Sequence, residues 1–149
     1  MSTEKKTATI LEDVKINVKT KLSALWVTVM FLFVYVDIFG KYEKGHIENA
    51  IAGKVAGFQI TQAWLLSVII LMAIPSLMVF LSIALKAKVN RWTNIIVGIL
   101  QIVVVLSSIF IGEPWAYYIF GSIVEVVLLA LIIWYAWKWP KQESVEATA

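Results

Sequence analysis

The sequence predicts an all-α protein, a four-helix transmembrane bundle with both termini cytoplasmic, and short amphipathic helices before span one and in the first outer loop. Three observations predict it. Of 149 residues, 60% are hydrophobic and only 15% charged, with a mean hydropathy of +0.83, whereas soluble domains carry about 25% charge. Four stretches, 22–39, 58–85, 92–111 and 115–139, are apolar over roughly the 20 residues that a helix needs to cross a hydrocarbon core about 30 Å thick. Lys and Arg divide ten against three between alternate connections. This composition excludes a water-soluble globule, a disordered tail and a nucleic-acid-binding domain.

Helices rather than strands follow because runs such as 95–106 do not alternate, and a helix satisfies its own backbone groups in lipid. Residues 1–21 read as a cytoplasmic tail, with 1–9 polar and mobile. Leu11, Val14, Val18 and Leu22 recur at helical spacing with Lys15, Lys19 and Lys21 off the stripe, the pattern of a basic amphipathic helix on the inner leaflet. Span one has a basic leader, but it ends in Val36-Asp37-Ile38-Phe39-Gly40. That is no small-x-small cleavage site, so span one reads as a retained anchor. In the outer loop 40–57, Ile47, Ile51, Val55 and Phe58 repeat at helical spacing among small residues, which predicts a short helix on the outer surface or in the bundle mouth. In span two Pro75 removes one backbone hydrogen bond and predicts a kink, with Ser76 placed to compensate the freed carbonyls. Residues 86–91 read as a tight basic turn. The outer connection Gly112-Glu113-Pro114 makes spans three and four antiparallel neighbours. Residues 140–149 read as a second cytoplasmic tail.

Orientation follows from the cations. With the N-terminus inside, Lys5, Lys6, Lys15, Lys19, Lys21, Lys86, Lys88, Arg91, Lys138 and Lys141 are cytoplasmic, and Lys41, Lys44 and Lys54 are outside. Trp26, Trp92, Trp137 and Trp139 then fall at the inner interface. Trp64 and Trp115, with Tyr42, Tyr117 and Tyr118, fall near the outer one, and only Trp134 sits deeper.

An ionisable residue within a span is costly and marks a candidate site. Glu125 lies ten residues into span four, about 15 Å deep at about 1.5 Å per residue. Gln101 of span three reaches a similar depth. Asn94, Gly98, Gln101, Val105, Ser108 and Gly112 share one face of span three, and Tyr118, Ser122 and Glu125 one face of span four; the two faces are expected to oppose each other. Two readings of Glu125 stand side by side: a protonated structural acid donating to Gln101 or a serine, and a site for a proton, a cation or a ligand amine. Asp37, Gln59, Gln62, Glu113, His46 and Tyr117 or Tyr118 collect at the outer end. They read either as a substrate or ion entrance or as wet span ends. With no cysteine and the single His46, disulfides, iron–sulfur clusters, Cys-based zinc and bis-His haem are excluded, and no metal or cofactor is expected.

Leu22-Ser23-Ala24-Leu25-Trp26, Tyr35-Val36-Asp37, Gln59-Ile60-Thr61-Gln62, Ile74-Pro75, Asn90-Arg91-Trp92-Thr93-Asn94-Ile95, Gly112-Glu113-Pro114 and Tyr117-Tyr118 before Glu125 together resemble a family of uncharacterised bacterial four-helix membrane proteins, a domain of unknown function. In size and layout the chain is also similar to DoxX-like proteins. The first resemblance covers about residues 20–139 and implies a bacterial inner-membrane bundle without an established activity. The second implies an association with redox complexes, which the lack of cysteine and of a cofactor motif argues against. The expected partners are the lipid bilayer and either a second copy or a membrane protein. The expected function is that of a small transporter or channel-like protein using Glu125. The alternatives are a non-catalytic membrane subunit or assembly factor, and an enzyme acting on a lipid-like substrate.

Overall fold

The structure, a computed structural model, describes residue 11, residues 13–111 and residues 114–141. In chain order the elements are α1 (Val18–Gly40), α2 (His46–Ile51), β1 (Lys54–Val55), β2 (Phe58–Gln59), α3 (Gln62–Ala84), α4 (Ala87–Ile109) and α5 (Ala116–Trp137). The four long helices have 22 or 23 residues each and are long and apolar enough to cross a membrane. At about 1.5 Å per residue they measure about 34 Å. Most of their large apolar side chains, among them Phe31, Leu66, Ile96 and Ile123, face outward. Helices apolar all round belong in lipid, and the protein is an integral membrane protein.

Local chemistry sets the helix starts. The Asn17 side chain accepts from the Lys19 N–H at 2.9 Å to open α1, and the Thr61 hydroxyl accepts from the Trp64 N–H at 3.1 Å to open α3. Around the bundle, α1 packs between α3 and α5, and α5 between α1 and α4; of the four neighbouring pairs, α3 and α4 touch least. Lys19 reaches the C-terminal carbonyls of α3, and Arg91 of α4 stacks on Trp137 of α5. The start of α1, the α3–α4 junction and the end of α5 therefore share one end of the bundle, called the termini end below. The loop end carries α2 and the β1–β2 hairpin.

Three expectations are corrected. Among the described residues no separate amphipathic helix precedes span one: residue 11 and residues 13–17 are not helical, and Val18 to Lys21 form the first turn of α1 itself. The loop helix covers only Ile47 and Ile51, because Val55 and Phe58 pair across an antiparallel hairpin. Ala56 and Gly57 turn it with φ of 48° and 81°, positive at both central positions as such two-residue turns require. The basic turn 86–91 shrinks to Leu85 and Lys86, since α4 already runs from Ala87. Helix α3 runs on through Pro75, and the Ser76 hydroxyl donates to the Met72 carbonyl at 2.8 Å, one residue beyond the Leu71 carbonyl that a proline at 75 frees. The tails 1–9 and 142–149 lie outside the described residues.

The packing is asymmetric along the bundle axis. The buried residues of α1 (Leu22, Ser23, Trp26, Val29) and of α3 (Pro75, Met78, Ser82) all lie in the half nearest the termini end. Those of α4 and α5 extend further, to Val105 and Gly121. Two glycines allow α5 to approach its neighbours. A Cβ at Gly121 would stand 2.6 Å from Val36 Cγ2 of α1, and one at Gly98 of α4 would stand 2.8 Å from Ile133 Cγ1. The bundle is thus closed at the termini end and open at the loop end.

Candidate functional site

Two polar systems occupy the interior, and they differ in whether their hydrogen bonds are complete. Near the termini end, the Trp26 indole N–H donates to Asn94 Oδ1 at 2.7 Å, and the Ser82 hydroxyl donates to the same oxygen at 3.2 Å. Asn94 Nδ2 donates to the Asn90 carbonyl (2.9 Å) and to Asn90 Oδ1 (2.6 Å), and Asn90 Nδ2 donates to the Ser82 carbonyl. Ser23 donates to the Val79 carbonyl at 2.8 Å. Trp26, Ser82, Asn90 and Asn94 are fully buried. These bonds tie α1, α3 and α4 together and leave none of these amide or indole groups orphaned, so the network is a structural joint.

The second system runs from the loop end toward the middle. A cavity of about 390 Å³ opens there, within the range of about 300–1,000 Å³ typical of small-molecule sites. Its walls are Val36, Asp37 and Gly40 of α1, Glu43 and Lys44 of the following turn, His46 and Asn49 of α2, and Ala56 of the hairpin turn. Ser108 of α4, Ile111 and Pro114 of the connection that follows it, and Tyr117 and Tyr118 of α5 complete it. The Tyr117 hydroxyl donates to Glu43 Oε1 at 2.7 Å. The Tyr118 hydroxyl donates to Ser108 Oγ at 2.7 Å, and Ser108 donates on to the Val105 carbonyl at 2.7 Å. The cavity is therefore of mixed polar and apolar lining, with two carboxylates, and a Tyr118–Ser108 bond joins α4 and α5 in its wall.

Beyond that bond the same two helix faces continue inward. Ser108 leads through Val105 to Gln101, and Tyr118 through Ser122 to Glu125. Each step of seven residues is about 10 Å along the axis. Gln101, Ser122 and Glu125 are 0%, 2% and 4% exposed. Gln101 Nε2, Gln101 Oε1 and Glu125 Oε1 are buried with no hydrogen-bond partner among the described residues. Buried polar atoms are nearly always paired, and each orphan calls for an explanation. Here three of them share the interior of the α4–α5 pair.

The sequence-selected residues separate accordingly. Asp37, His46 and Tyr118 meet in the cavity; Glu125, Gln101 and Ser122 are buried further along the same seam. The expected hydrogen bond between Glu125 and Gln101 is not formed. Asp37, with apolar neighbours in sequence, is instead an exposed group paired with Lys41 at 3.0 Å. It shares no cavity wall with Glu125. Gln59 and Gln62 are exposed and lie outside the cavity lining. Glu113 lies outside the described residues. Trp26, read as an interfacial ring, is fully buried and is the donor to Asn94. Glu43 and Asn49, and Lys44 beyond its charge, carry no site signal in the sequence. They stand in a loop whose one regular pattern is its hydrophobic spacing, and only the fold brings Glu43 to Tyr117, 74 residues away. Among the described residues no three His, Cys, Asp or Glu side chains cluster to hold a metal.

No curated protein and no solved structure matches the chain. Residues 10–146 are matched by the family described as "Family of unknown function (DUF6326)", and so span all four long helices and the seam between α4 and α5; the chain belongs to that family.

Proposed function

We propose that this protein is a small transporter or channel-like protein that admits a proton, a small cation or a protonated amine from the loop-end cavity to Glu125. The observation that carries this reading is the set of three unpaired polar atoms on Gln101 and Glu125, beneath a cavity with two carboxylates in its wall and on the same two helix faces as Ser108 and Tyr118. A purely structural acid would be expected to spend its carboxylate on a neighbour, as Asn94 does with its amide. A bound amine would donate to Glu125 Oε1 and Gln101 Oε1, while Gln101 Nε2 remains to hold a water or a proton carrier. Tyr118, bonded to Ser108, is the group that must swing aside for passage. The ten-to-three bias of Lys and Arg favours cytoplasmic termini and an outward-facing cavity, and the resemblance to bacterial four-helix proteins favours a bacterial inner membrane.

Two measurements test it. In proteoliposomes holding a pH dye, an imposed methylammonium or sodium gradient should drive a pH change above that of empty vesicles. Glu125→Gln should reduce that rate about tenfold or more, equivalent to about 1.4 kcal/mol or more. Tyr118→Phe, which loses the bond to Ser108, should raise it. Wild-type flux no greater than that of empty vesicles would discard this reading in favour of a non-catalytic membrane subunit.

The second measurement uses the absence of cysteine from the chain. Single-cysteine variants can be labelled against a silent background. An impermeant thiol reagent added outside intact cells should label Lys54→Cys and Ser108→Cys, and should label Lys88→Cys only after permeabilisation. The reverse pattern would invert the proposed orientation.

A further inference from the structure

The termini end carries eight cationic side chains among the described residues: Lys15, Lys19, Lys21, Lys86, Lys88, Arg91, Lys138 and Lys141. The one ion pair among the described residues is Lys41–Asp37, at the opposite end. Three of the eight cations lie against aromatic rings. Lys21 lies over Tyr135 at 5.3 Å and Lys138 over Trp134 at 4.8 Å. Arg91 contacts two indoles, Trp92 at 5.8 Å and Trp137 at 5.5 Å. Its Nε is buried and has no hydrogen-bond partner among the described residues.

An arginine held by two indoles is oriented but not neutralised. Its planar fork matches phosphate oxygens, and the rings restrict its rotamers before any ligand arrives. The rings also set the depth: exposed tryptophans settle at the headgroup level of a bilayer, and Trp92, Trp134 and Trp137 are exposed. From them an apolar surface leads away from the cations. Trp92, Ile96, Ile99 and Val103 repeat along α4, and Trp134, Leu131 and Val127 along α5, all exposed. A cation at headgroup depth above an apolar track fits a molecule with a phosphate at one end and acyl chains at the other.

We propose that the Arg91 guanidinium, held between Trp92 and Trp137, binds the phosphate of an anionic phospholipid, with Lys88 and Lys138 nearby in sequence adding charge and the outer faces of α4 and α5 receiving the acyl chains. This proposal is independent of the Glu125 reading, since it concerns the other end of the bundle and the outer surface.

Native mass spectrometry of the full chain in detergent tests it. The probes are phosphatidylglycerol, phosphatidylcholine and inorganic phosphate. A basic group near an anionic surface contributes about 1 kcal/mol, so phosphatidylglycerol should bind about fivefold or more tightly than phosphatidylcholine. Arg91→Gln should abolish that preference while leaving phosphatidylcholine binding unchanged. Arg91→Lys, which keeps the charge but lacks the planar fork, should retain only part of it, and it serves as the test if Arg91→Gln fails to fold. Equal binding of the two lipids, or a preference that survives in both Arg91 variants, would overturn the proposal. Inorganic phosphate displacing phosphatidylglycerol at equal concentration would also overturn it, since the site would then be one for a free anion.

Discussion

Asn94→Leu should destabilise the folded bundle by about 2–4 kcal/mol, the largest loss expected from a near-isosteric substitution in this chain. Asn94 Oδ1 is the acceptor for both Trp26 and Ser82, and its amide donates twice to Asn90. Leucine fills the same space but strands the Trp26 indole N–H in the interior. An orphaned buried donor costs about 1–3 kcal/mol. Measured side-chain hydrogen bonds within membrane bundles average nearer 0.6 kcal/mol, which keeps the total for several bonds at the lower end of their sum. Thermal unfolding in detergent measures it. Gln101→Leu is the matched comparison, on the same face of the same helix. Its amide has no partner among the described residues, so its removal should leave stability unchanged or raise it by about 1 kcal/mol. A Gln101→Leu loss equal to that of Asn94→Leu would show that Gln101 is structural.

The second large effect concerns the approach of α5 to α1. In Gly121→Ala the new Cβ would stand 2.6 Å from Val36 Cγ2, well inside the usual carbon contact of about 3.5–4.0 Å. Valine in a helix is nearly confined to one χ1 rotamer, so its methyl cannot swing away. The helices must separate, and overpacking of this kind costs about 1–3 kcal/mol. Gly121→Leu should cost more and also disturb the cavity, because Gly121 is three residues from Tyr118. The cause is checked by a double-mutant cycle: Val36→Ala should recover most of the loss in the Gly121→Ala background, a coupling of about 1 kcal/mol or more. Strict additivity would mean that Val36 is not the obstacle.

The four spans and the α4–α5 interface were legible because both rest on local periodicity. A stripe stepping by three and four residues, Asn94, Gly98, Gln101, Val105 and Ser108, declares a helix face before any fold is known. Observed burial of Asn94, Gly98, Gln101 and Val105 follows that stripe. Other features were masked by local context. Asn90 continues the same stripe one turn earlier, but Lys88 and Arg91 beside it made the segment read as a basic turn. Trp26 stands one turn inside a basic flank, where an interfacial ring is the ordinary expectation; only the presence of Asn94, 68 residues away, turns it inward. In the loop, Val55 and Phe58 fell in register with Ile47 and Ile51 because a tight hairpin places its paired residues three apart. That spacing is one a helix face also shows. The cavity joins residues from seven segments, and no linear pattern encodes such a meeting.

The two interior polar systems differ in completeness. The Asn94 network is complete and holds three helices together. The Gln101–Glu125 system is incomplete, buried and aligned with an open cavity. Destabilising substitutions should therefore cluster around Asn94, and substitutions that alter ligand or proton handling around Glu125.

Infrared difference spectroscopy of the Glu125 carboxyl, on purified protein in lipid, shows whether a cation reaches this group. Adding methylammonium or sodium should shift its carboxyl stretch, and the shift should be absent in Glu125→Gln. A carboxyl stretch unmoved by either cation in the wild type, with Glu125→Gln folding normally, would make Glu125 a sealed structural acid and contradict the account.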